Sequence, residues 1–361
     1  MPVSMTKPRI VAFEVTRRCR FSCVHCRSEA SRVRDGEDLT TAQCIRIMHK
    51  LAAYCKSVVV LTGGEPMERE DIYDLMEAGQ AVGHRMALAS SGYPITDDTA
   101  RKLKDCGLLT LSFSLDGIDA HTHDAFRGTR GAYRAVLSAI GSAQKQGLLY
   151  QINTAVTRQN LEQVMQIAEL AQDLGAYCFN PFILVPTGRG SDIKTEMISP
   201  QSYEELLVAL AEMRLTGTFD VRVSCGPQFQ RILNQQGKQQ GPGKRQPTGC
   251  SAGKQFAFIN YRGGVQPCGF LNLPVGNLLE NDFKDIWEHS SILNRIRDRS
   301  QYTGMCVQCE FRESCGGCRA RAMALTNDYL ASDPICLHAG AFGEKETVLC
   351  VDTSNRDGQM C

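Results

Sequence analysis

Short β-rich runs alternate with helical stretches along residues 10–184, and this alternation restricts the fold of the 361-residue chain more than any other feature. The runs that predict strands are Ile10–Val15, Val58–Thr62, Met86–Ser90, Leu109–Leu115, Tyr150–Val156 and Cys178–Leu184. The segments with helical periodicity are Ala42–Tyr54, Asp71–Gly79, Thr96–Cys106, Gly131–Gln146 and Leu161–Gly175. Such alternation is typical of parallel strands joined by right-handed crossovers. Because six units are too few for a complete TIM barrel, we predict an α/β fold with an open, partial (β/α)6 barrel. Its chemistry should lie at the C-terminal ends of the strands.

Composition divides the chain into four predicted parts. These are the barrel over 1–200, a helical bridge and flexible linker over 201–249, a small cysteine-rich domain over 250–340 and a polar tail over 341–361. The stretch 237–249 is rich in Gly, Pro and Gln, which indicates a flexible connection or a lid. After Cys250 the runs FAFIN and GVQPC flank the turn-rich YRGG and predict a β-hairpin.

Charge and cysteine usage exclude several classes of protein. The net charge of +1 gives no long-range attraction to nucleic acid or to anionic membrane. No window is apolar enough to span a membrane, and the N-terminal residues contain no apolar secretion signal. We therefore expect a cytoplasmic protein that binds no nucleic acid and enters no membrane. In that reducing compartment 17 cysteines, an odd number, indicate metal ligation rather than a disulfide framework.

The first predicted strand runs directly into the motif Cys19-x3-Cys23-x2-Cys26. Three thiolates on one short loop can bind three irons of a [4Fe–4S] cluster and leave the fourth iron open. A catalytic metal needs such an open position, whereas a structural zinc site takes four ligands. No fourth cysteine or pair of histidines lies nearby in the sequence except His25, and zinc stays open as the alternative.

This loop resembles the signature of the radical S-adenosylmethionine (SAM) enzymes. The resemblance implies that Cys19, Cys23 and Cys26 are the catalytic cluster ligands and that the open iron chelates SAM. SAM is then a co-substrate, and its reductive cleavage releases a 5′-deoxyadenosyl radical. A low-potential donor such as ferredoxin or flavodoxin supplies the electron, and His25 packs near the adenine.

Further motifs of the same resemblance follow the later strands. Gly63, Gly64, Glu65 and Pro66 look like the GGEP motif, in which the glycines let the backbone approach SAM and Glu65 or the backbone receives its ammonium. The alternative is a Gly-Gly turn before a helix-starting proline.

Polar residues at the ends of the fourth and fifth strands complete the implied SAM site. The resemblance implies ribose or carboxylate contacts from Ser114, Asp116, Asn153 and Thr154. Arg127 either clamps a carboxylate with its planar guanidinium or is an ordinary surface arginine.

The C-terminal cysteines resemble the SPASM domain, which carries auxiliary [4Fe–4S] clusters in many radical SAM enzymes. By that pattern Cys306, Cys309, Cys315 and Cys336 hold one cluster, and Cys250, Cys268 and Cys318 hold another. The further cysteine that the pattern places a few residues before Cys250 is absent. The second cluster therefore has an open iron that substrate can reach, or it recruits Cys225 or a non-cysteine ligand. A zinc ribbon built from the two CxxC pairs is the alternative.

Longer stretches, among them SLDG…HDAFRG, PFILVPTGRG and CEFRESCGGCRARA, resemble the haem-forming branch of the family, in particular its haem b synthases. That resemblance implies oxidative decarboxylation of two propionates of Fe-coproporphyrin III to vinyl groups, with an auxiliary cluster accepting the remaining electron. Candidate clamps for the anionic porphyrin are Arg189, Arg319 and Arg321, and candidate axial ligands are His121 and His123; each is otherwise an ordinary surface residue. Removal of side chains from a sirohaem-derived tetrapyrrole and maturation of a ribosomal peptide remain open.

Overall fold

A computed structural model describes residues 6–32, 38–217, 219–236 and 249–340 of the protein, and within them one ten-stranded sheet organises the fold. The strands are β1 (Ile10–Thr16), β2 (Val58–Gly63), β3 (Arg85–Ser90), β4 (Thr110–Ser114), β5 (Tyr150–Val156), β6 (Cys178–Ile183), β7 (Asp220–Val221), β8 (Phe256–Ile259), β9 (Gly264–Gln266) and β10 (Gly276–Asn277). Their spatial order is β10-β9-β8-β1-β2-β3-β4-β5-β6-β7, and β1 to β7 are parallel. The predicted α/β fold with six parallel strands is confirmed.

Helices connect the strands and cover the sheet. They are α1 (Thr41–Tyr54), α2 (Ile72–Ala81), α3 (Asp97–Asp105), α4 (Ala120–Arg127), α5 (Ala132–Lys145), α6 (Val164–Asp173), α7 (Pro200–Thr216), α8 (Gln228–Gln235), α9 (Phe283–His289), α10 (Ser291–Arg297), α11 (Met305–Gln308), α12 (Arg319–Thr326) and α13 (Leu337–Gly340). The sequence pattern does not predict α4, which begins where the Asp119 side chain accepts a hydrogen bond from the Thr122 N–H. Helix α6 begins later than predicted because Leu161–Gln163 form a 3₁₀ turn.

The core lies where the apolar faces of these helices meet the sheet. Phe13 on β1, Phe113 on β4 and Phe179 on β6 are fully buried in it, as are Leu51 of α1 and Trp287 of α9. Parallel strands covered in this way retain few exposed apolar positions. Among the described residues, none of the helices combines the length and apolar character that a membrane span requires.

The predicted hairpin forms, and it also extends the barrel sheet. β8 and β9 pair antiparallel, with Phe258 opposite Gln266. β8 then pairs parallel to β1, with Ile10 opposite Phe256. This pairing satisfies the free edge of β1, which would otherwise expose a row of unpaired backbone groups. It also fixes the cysteine-rich segment beside the loop that follows β1.

The limits of the predicted domains remain predictions. The bridge over 201–236 contains α7 and α8, as the helical pattern indicates. Most of the predicted linker, 237–248, and the predicted tail, 341–361, lie outside the described residues.

Candidate active site

A cleft opens at the C-terminal ends of β1 to β6 and encloses about 1190 Å³, counting the part open to solvent. It brings together most of the residues singled out by the sequence, namely Cys19, Cys23, Cys26, Gly63, Gly64, Ser114, Asp116, Arg127 and Asn153. Glu65 and Pro66 are buried behind its wall. Parallel strands end on the same side of the sheet, so residues distant in sequence meet at this edge.

Each of the three predicted cluster ligands has a polar group beside its sulfur. A backbone N–H lies 3.4 Å from the Cys19 Sγ, and Arg127 Nη1 lies 3.7 Å from the Cys23 Sγ. The hydroxyl of Ser28 is 3.6 Å from the Cys26 Sγ. Hydrogen bonds to the sulfurs tune the potential of an iron–sulfur cluster, so these polar groups fit a cluster bound to the loop.

Arg189 holds the cysteine loop in place and is not available as a propionate clamp. Its Nε donates to the carbonyl of Cys23 at 2.9 Å and its Nη1 to the carbonyl of Ala30 at 2.9 Å. Its backbone N–H donates to the carbonyl of Cys26 at 3.0 Å. The interpretation of Arg189 as a substrate ligand is therefore wrong, because three contacts commit it to the loop.

Gly63 and Gly64 are required where β2 packs against the chain that follows β1. A Cβ on Gly63 would lie 2.2 Å from the carbonyl oxygen of Thr16, and one on Gly64 would lie 2.1 Å from that of Arg18. Gly63 also has a φ of +147°. The Gly64 N–H donates to the Thr16 carbonyl at 2.7 Å. Close backbone packing explains these glycines, and both also line the cleft.

The carboxylate of Glu65 joins the ends of β2 and β3 and does not face the cleft. It accepts hydrogen bonds from Ser90 Oγ at 2.9 Å and from the Ser91 N–H at 2.8 Å, and it also accepts from the Met67 N–H at 3.2 Å. Burial raises its pKa to about 7, although hydrogen bonds from Ser91, Met67 and Ser90 act in the opposite direction. These contacts favour the backbone over the Glu65 side chain as the receiver of the SAM ammonium, and the contact itself stays a prediction. Pro66 opens a 3₁₀ turn, as its helix-starting role predicts.

Asp116 and Arg127 form a buried ion pair that leads to Cys23. Arg127 Nη2 lies 2.5 Å from Asp116 Oδ2, and the Asp116 side chain is fully buried. The Ala155 N–H donates to Asp116 Oδ1 at 2.7 Å. Burial alone raises the pKa of Asp116, but the charge of Arg127 outweighs it and the pKa is lowered. The guanidinium of Arg127 is held between Asp116 and the Cys23 sulfur in the cleft wall, and its contact with a ligand carboxylate stays a prediction.

Three polar positions around β4 and β5 separate into cleft-facing and buried groups. Ser114 and Asn153 pair across the two strands and line the cleft. Thr154 is fully buried, and its hydroxyl donates to the carbonyl of Leu115 at 2.6 Å. The predicted contact from Thr154 is therefore wrong, because alternate residues of a strand face opposite sides.

The two candidate axial histidines do not line the cleft. His123 is buried, and its Nδ1 accepts the Asp116 N–H at 3.0 Å. His121 is exposed on α4. Neither side chain is therefore placed to ligate a substrate iron in the cleft, and that interpretation is wrong.

His25 borders the cleft beside the cysteine loop. Its ring centroid lies 5.4 Å from that of Phe126, and burial lowers its pKa to about 4, so the imidazole is neutral. Its buried Nδ1 has no hydrogen-bond partner among the described residues. An unsatisfied buried nitrogen beside the loop fits a site that a polar ligand such as SAM completes.

One wall of the cleft contains residues that the sequence motifs did not indicate. Arg27 lies over the ring of Phe258 at 4.3 Å, and its Nη1 is 3.5 Å from Glu14 Oε1. Phe182 and Phe270 line the same wall with ring centroids 6.3 Å apart. Arg27 directly follows Cys26, and this adjacency was the one signal that could have identified it.

A second cavity lies in the cysteine-rich region. All four cysteines predicted for one auxiliary cluster line it: Cys306, Cys309, Cys315 and Cys336. Gly249 packs so closely on the backbone of Cys315 that a Cβ would lie 1.9 Å from its carbonyl oxygen. The Cys250 N–H then donates to the same carbonyl at 3.2 Å, which places Cys250 next to this cavity.

Arg319 and Arg321 are structural residues and not porphyrin clamps. Both side chains are fully buried. Arg319 donates to the carbonyls of Tyr329 and Ala331, and Arg321 forms an ion pair with Asp333 at 2.7 Å. These contacts leave no guanidinium surface for a substrate, so the predicted role is wrong.

The described cysteines form no site for a single metal ion. Among residues 6–32, 38–217, 219–236 and 249–340, no three His, Cys, Asp or Glu side chains converge on a single-ion site. A zinc site needs four ligand atoms within about 2.3 Å of one centre. A cubane cluster separates its thiolates further, because each binds a different iron.

Comparisons with known proteins agree with this geometry. The sequence profile of the radical SAM superfamily matches residues 13–171, and that of the SPASM iron–sulfur cluster-binding domain matches residues 250–318. The chain is 37% identical over 345 residues to the AdoMet-dependent heme synthase of Methanosarcina barkeri, covering 93% of this chain and 98% of that one. It is 36% identical over 336 residues to the enzyme of the same name from Nitratidesulfovibrio vulgaris, covering 91% and 92%.

The fold has a solved counterpart in SuiB of Streptococcus suis bound to S-adenosylmethionine, with a TM-score of 0.74 and 18% identity over 93% of this chain and 79% of that one. Radical SAM and SPASM domains hold [4Fe–4S] clusters and use SAM, so these cofactors are those of this protein. The chain belongs to the radical SAM superfamily, as a SPASM-containing enzyme related to the AdoMet-dependent heme synthases.

Proposed function

We propose that this enzyme oxidatively decarboxylates two propionates of Fe-coproporphyrin III to vinyl groups and so produces haem b. The observation that carries the proposal is the 37% identity to an AdoMet-dependent heme synthase along 98% of that relative. The similarity extends through both the barrel and the cysteine-rich region, so it includes the residues that line the cleft on both sides.

The bound cluster and SAM would supply a 5′-deoxyadenosyl radical. For each propionate, a hydrogen atom leaves the β-carbon for that radical, the bond to the carboxylate breaks, and CO₂ departs as the vinyl group forms. One electron remains, which an auxiliary cluster would accept, and one SAM is consumed. We expect a low-potential ferredoxin or flavodoxin as the donor that cleaves SAM, and the cytoplasm as the location.

The cleft wall supports a planar, anionic substrate. Phe182 and Phe270 offer aromatic surface to a macrocycle, and aromatic groups gain from such ring contacts. Among the described residues, the arginines that line the cleft are Arg27 and Arg127, and Arg127 is committed to Asp116. Arg27 is held only by one ion pair of 3.5 Å and a ring contact, so we assign it the propionate contact.

The test is anaerobic turnover of the reconstituted enzyme with reductant, SAM and Fe-coproporphyrin III. Mass spectrometry should show stepwise loss of two carboxyl groups together with 5′-deoxyadenosine. If 5′-deoxyadenosine forms and the porphyrin mass never changes, the substrate is wrong. A sirohaem-derived tetrapyrrole and a ribosomal peptide are then the next substrates to offer.

Arg27→Gln tests the assigned contact. A hydrogen bond to a charged group contributes about 1.5–3 kcal/mol, so the KM for the porphyrin should rise roughly 10- to 100-fold. Cleavage of SAM without porphyrin should not change. Arg46→Gln, on the exposed face of α1, is the matched control and should leave both rates alone. An unchanged KM in Arg27→Gln would remove Arg27 from the substrate site.

A further inference from the structure

Cys225 lies beside the cysteines predicted for the middle auxiliary cluster, although it is distant from them in sequence. Cys225 and Cys268 both pack against the small buried cluster that contains Cys318. Cys268 in turn interacts with both Cys250 and Cys318. The structure therefore collects four thiols where the sequence pattern supplied three.

The backbone around Cys225 is held in a fixed position. The chain leaving β7 runs along β6, where the Ser224 N–H donates to the Pro181 carbonyl at 2.9 Å and the Ile183 N–H donates to the Ser224 carbonyl at 3.1 Å. Cys225 then adopts a φ of +57°, which is uncommon for a residue other than glycine. Such a conformation persists only where surrounding contacts determine it.

One buried ion pair positions both Cys225 and Cys318. Arg321 Nη1 donates to the carbonyl of Cys225 at 3.0 Å, and the same guanidinium pairs with Asp333. Asp333 Oδ2 accepts the Cys318 N–H at 2.9 Å. The two thiols thus share a rigid support, which is the arrangement of second-shell contacts that orients metal ligands.

We propose that Cys225 is the fourth thiolate ligand of the auxiliary [4Fe–4S] cluster held by Cys250, Cys268 and Cys318. All four irons of that cluster then have a protein ligand. Cysteines bind iron as thiolates, and a bound cluster offsets the repulsion that four neighbouring thiolates would otherwise have. A closed cluster transfers electrons and leaves no iron on which the substrate can bind.

This inference rests on the family assignment and not on the porphyrin substrate, so its test uses no substrate. The parent protein carries Cys19→Ala, Cys23→Ala and Cys26→Ala, which removes the SAM-binding cluster and its open iron. Within it, Cys225→Ala is compared with Cys178→Ala. Cys178 is also buried, but its thiol donates to a backbone carbonyl on β6.

Each reconstituted protein is reduced and mixed with ¹³C-cyanide, a probe for open iron sites, and studied by pulsed EPR. The parent should contain about eight irons per chain, the content of two clusters. The parent and the Cys178→Ala protein should show no ¹³C coupling, whereas Cys225→Ala should show it together with changed g values. The proposal would be overturned by a ¹³C coupling in the parent or by an iron content of only one cluster. Identical EPR spectra of the parent and the Cys225→Ala protein would also overturn it. The parent measurements stand even if Cys225→Ala fails to fold.

Discussion

Replacing Asp333 by Asn should destabilise the protein strongly, because this carboxylate forms an ion pair with the fully buried Arg321. Arg321 Nε donates to Asp333 Oδ1 at 2.8 Å, and its Nη2 donates to Oδ2 at 2.7 Å. Oδ2 also accepts from the Cys318 N–H and from Gln228 Nε2, each at 2.9 Å. Burial alone raises the pKa of Asp333, but the charge and hydrogen bonds of Arg321 outweigh it and the pKa is lowered.

The magnitude follows from what the substitution leaves behind. Asn retains the size of the side chain but carries no charge, and its NH₂ group must face a donor of Arg321 or of Cys318. Loss of one hydrogen bond costs about 0.5–1.5 kcal/mol, whereas a buried charge that loses its partner costs about 3–5 kcal/mol. The charge effect is larger, so we expect Asp333→Asn to lower the free energy of unfolding by about 3–5 kcal/mol. Domains are stable by only about 5–15 kcal/mol, so this loss is severe.

Urea unfolding of the reconstituted protein under argon measures the effect. Trp287, the single tryptophan, is fully buried, and its fluorescence reports the transition. Asp220→Asn is the control, because Asp220 pairs with the half-exposed Arg222 and such pairs contribute about 0–1 kcal/mol. The double change of Asp333→Asn with Arg321→Met should cost less than the sum of the single changes. A midpoint for Asp333→Asn equal to that of the control, or strictly additive costs, would refute the reasoning.

Two other predictions concern the glycine turn and a buried histidine. Gly64→Ala forces a Cβ to within 2.1 Å of the Arg18 carbonyl oxygen and should lower both the melting temperature and the affinity for SAM. Gly141→Ala, in open space on α5, should instead stabilise the protein by about 0.5–1 kcal/mol. Thermal unfolding compares the two variants, and equal effects would contradict the packing argument. His123 is neutral in the folded protein because burial and the charge of Arg127 lower its pKa to about 4, while the unfolded pKa is near 6.5. The unfolded chain binds the extra proton between these values, so stability should fall as the pH drops from 6.5 towards 4, by up to about 1.4 kcal/mol per unit. His123→Gln should reduce that slope in urea titrations at several pH values, and an unchanged slope would exclude His123 as its source.

The sequence determined the parts of this protein that depend on local pattern. Strand–helix periodicity predicted six parallel strands, because apolar spacing acts over a few residues and is legible without the fold. The cysteine spacing after β1 and in the C-terminal region predicted iron–sulfur chemistry for the same reason, since one short loop must supply several ligands to one cluster.

Only the tertiary structure decided the partners of these elements. The pairing of β8 with β1 joins Ile10 to Phe256, and no local pattern encodes a contact over that separation. The roles of charged residues also depend on the tertiary structure. In the sequence, Arg189, Arg319 and Arg321 look like substrate clamps, but in the structure each guanidinium binds backbone carbonyls or a carboxylate. An arginine's role depends on the groups that face it, and those groups come from distant segments that meet only when the core forms.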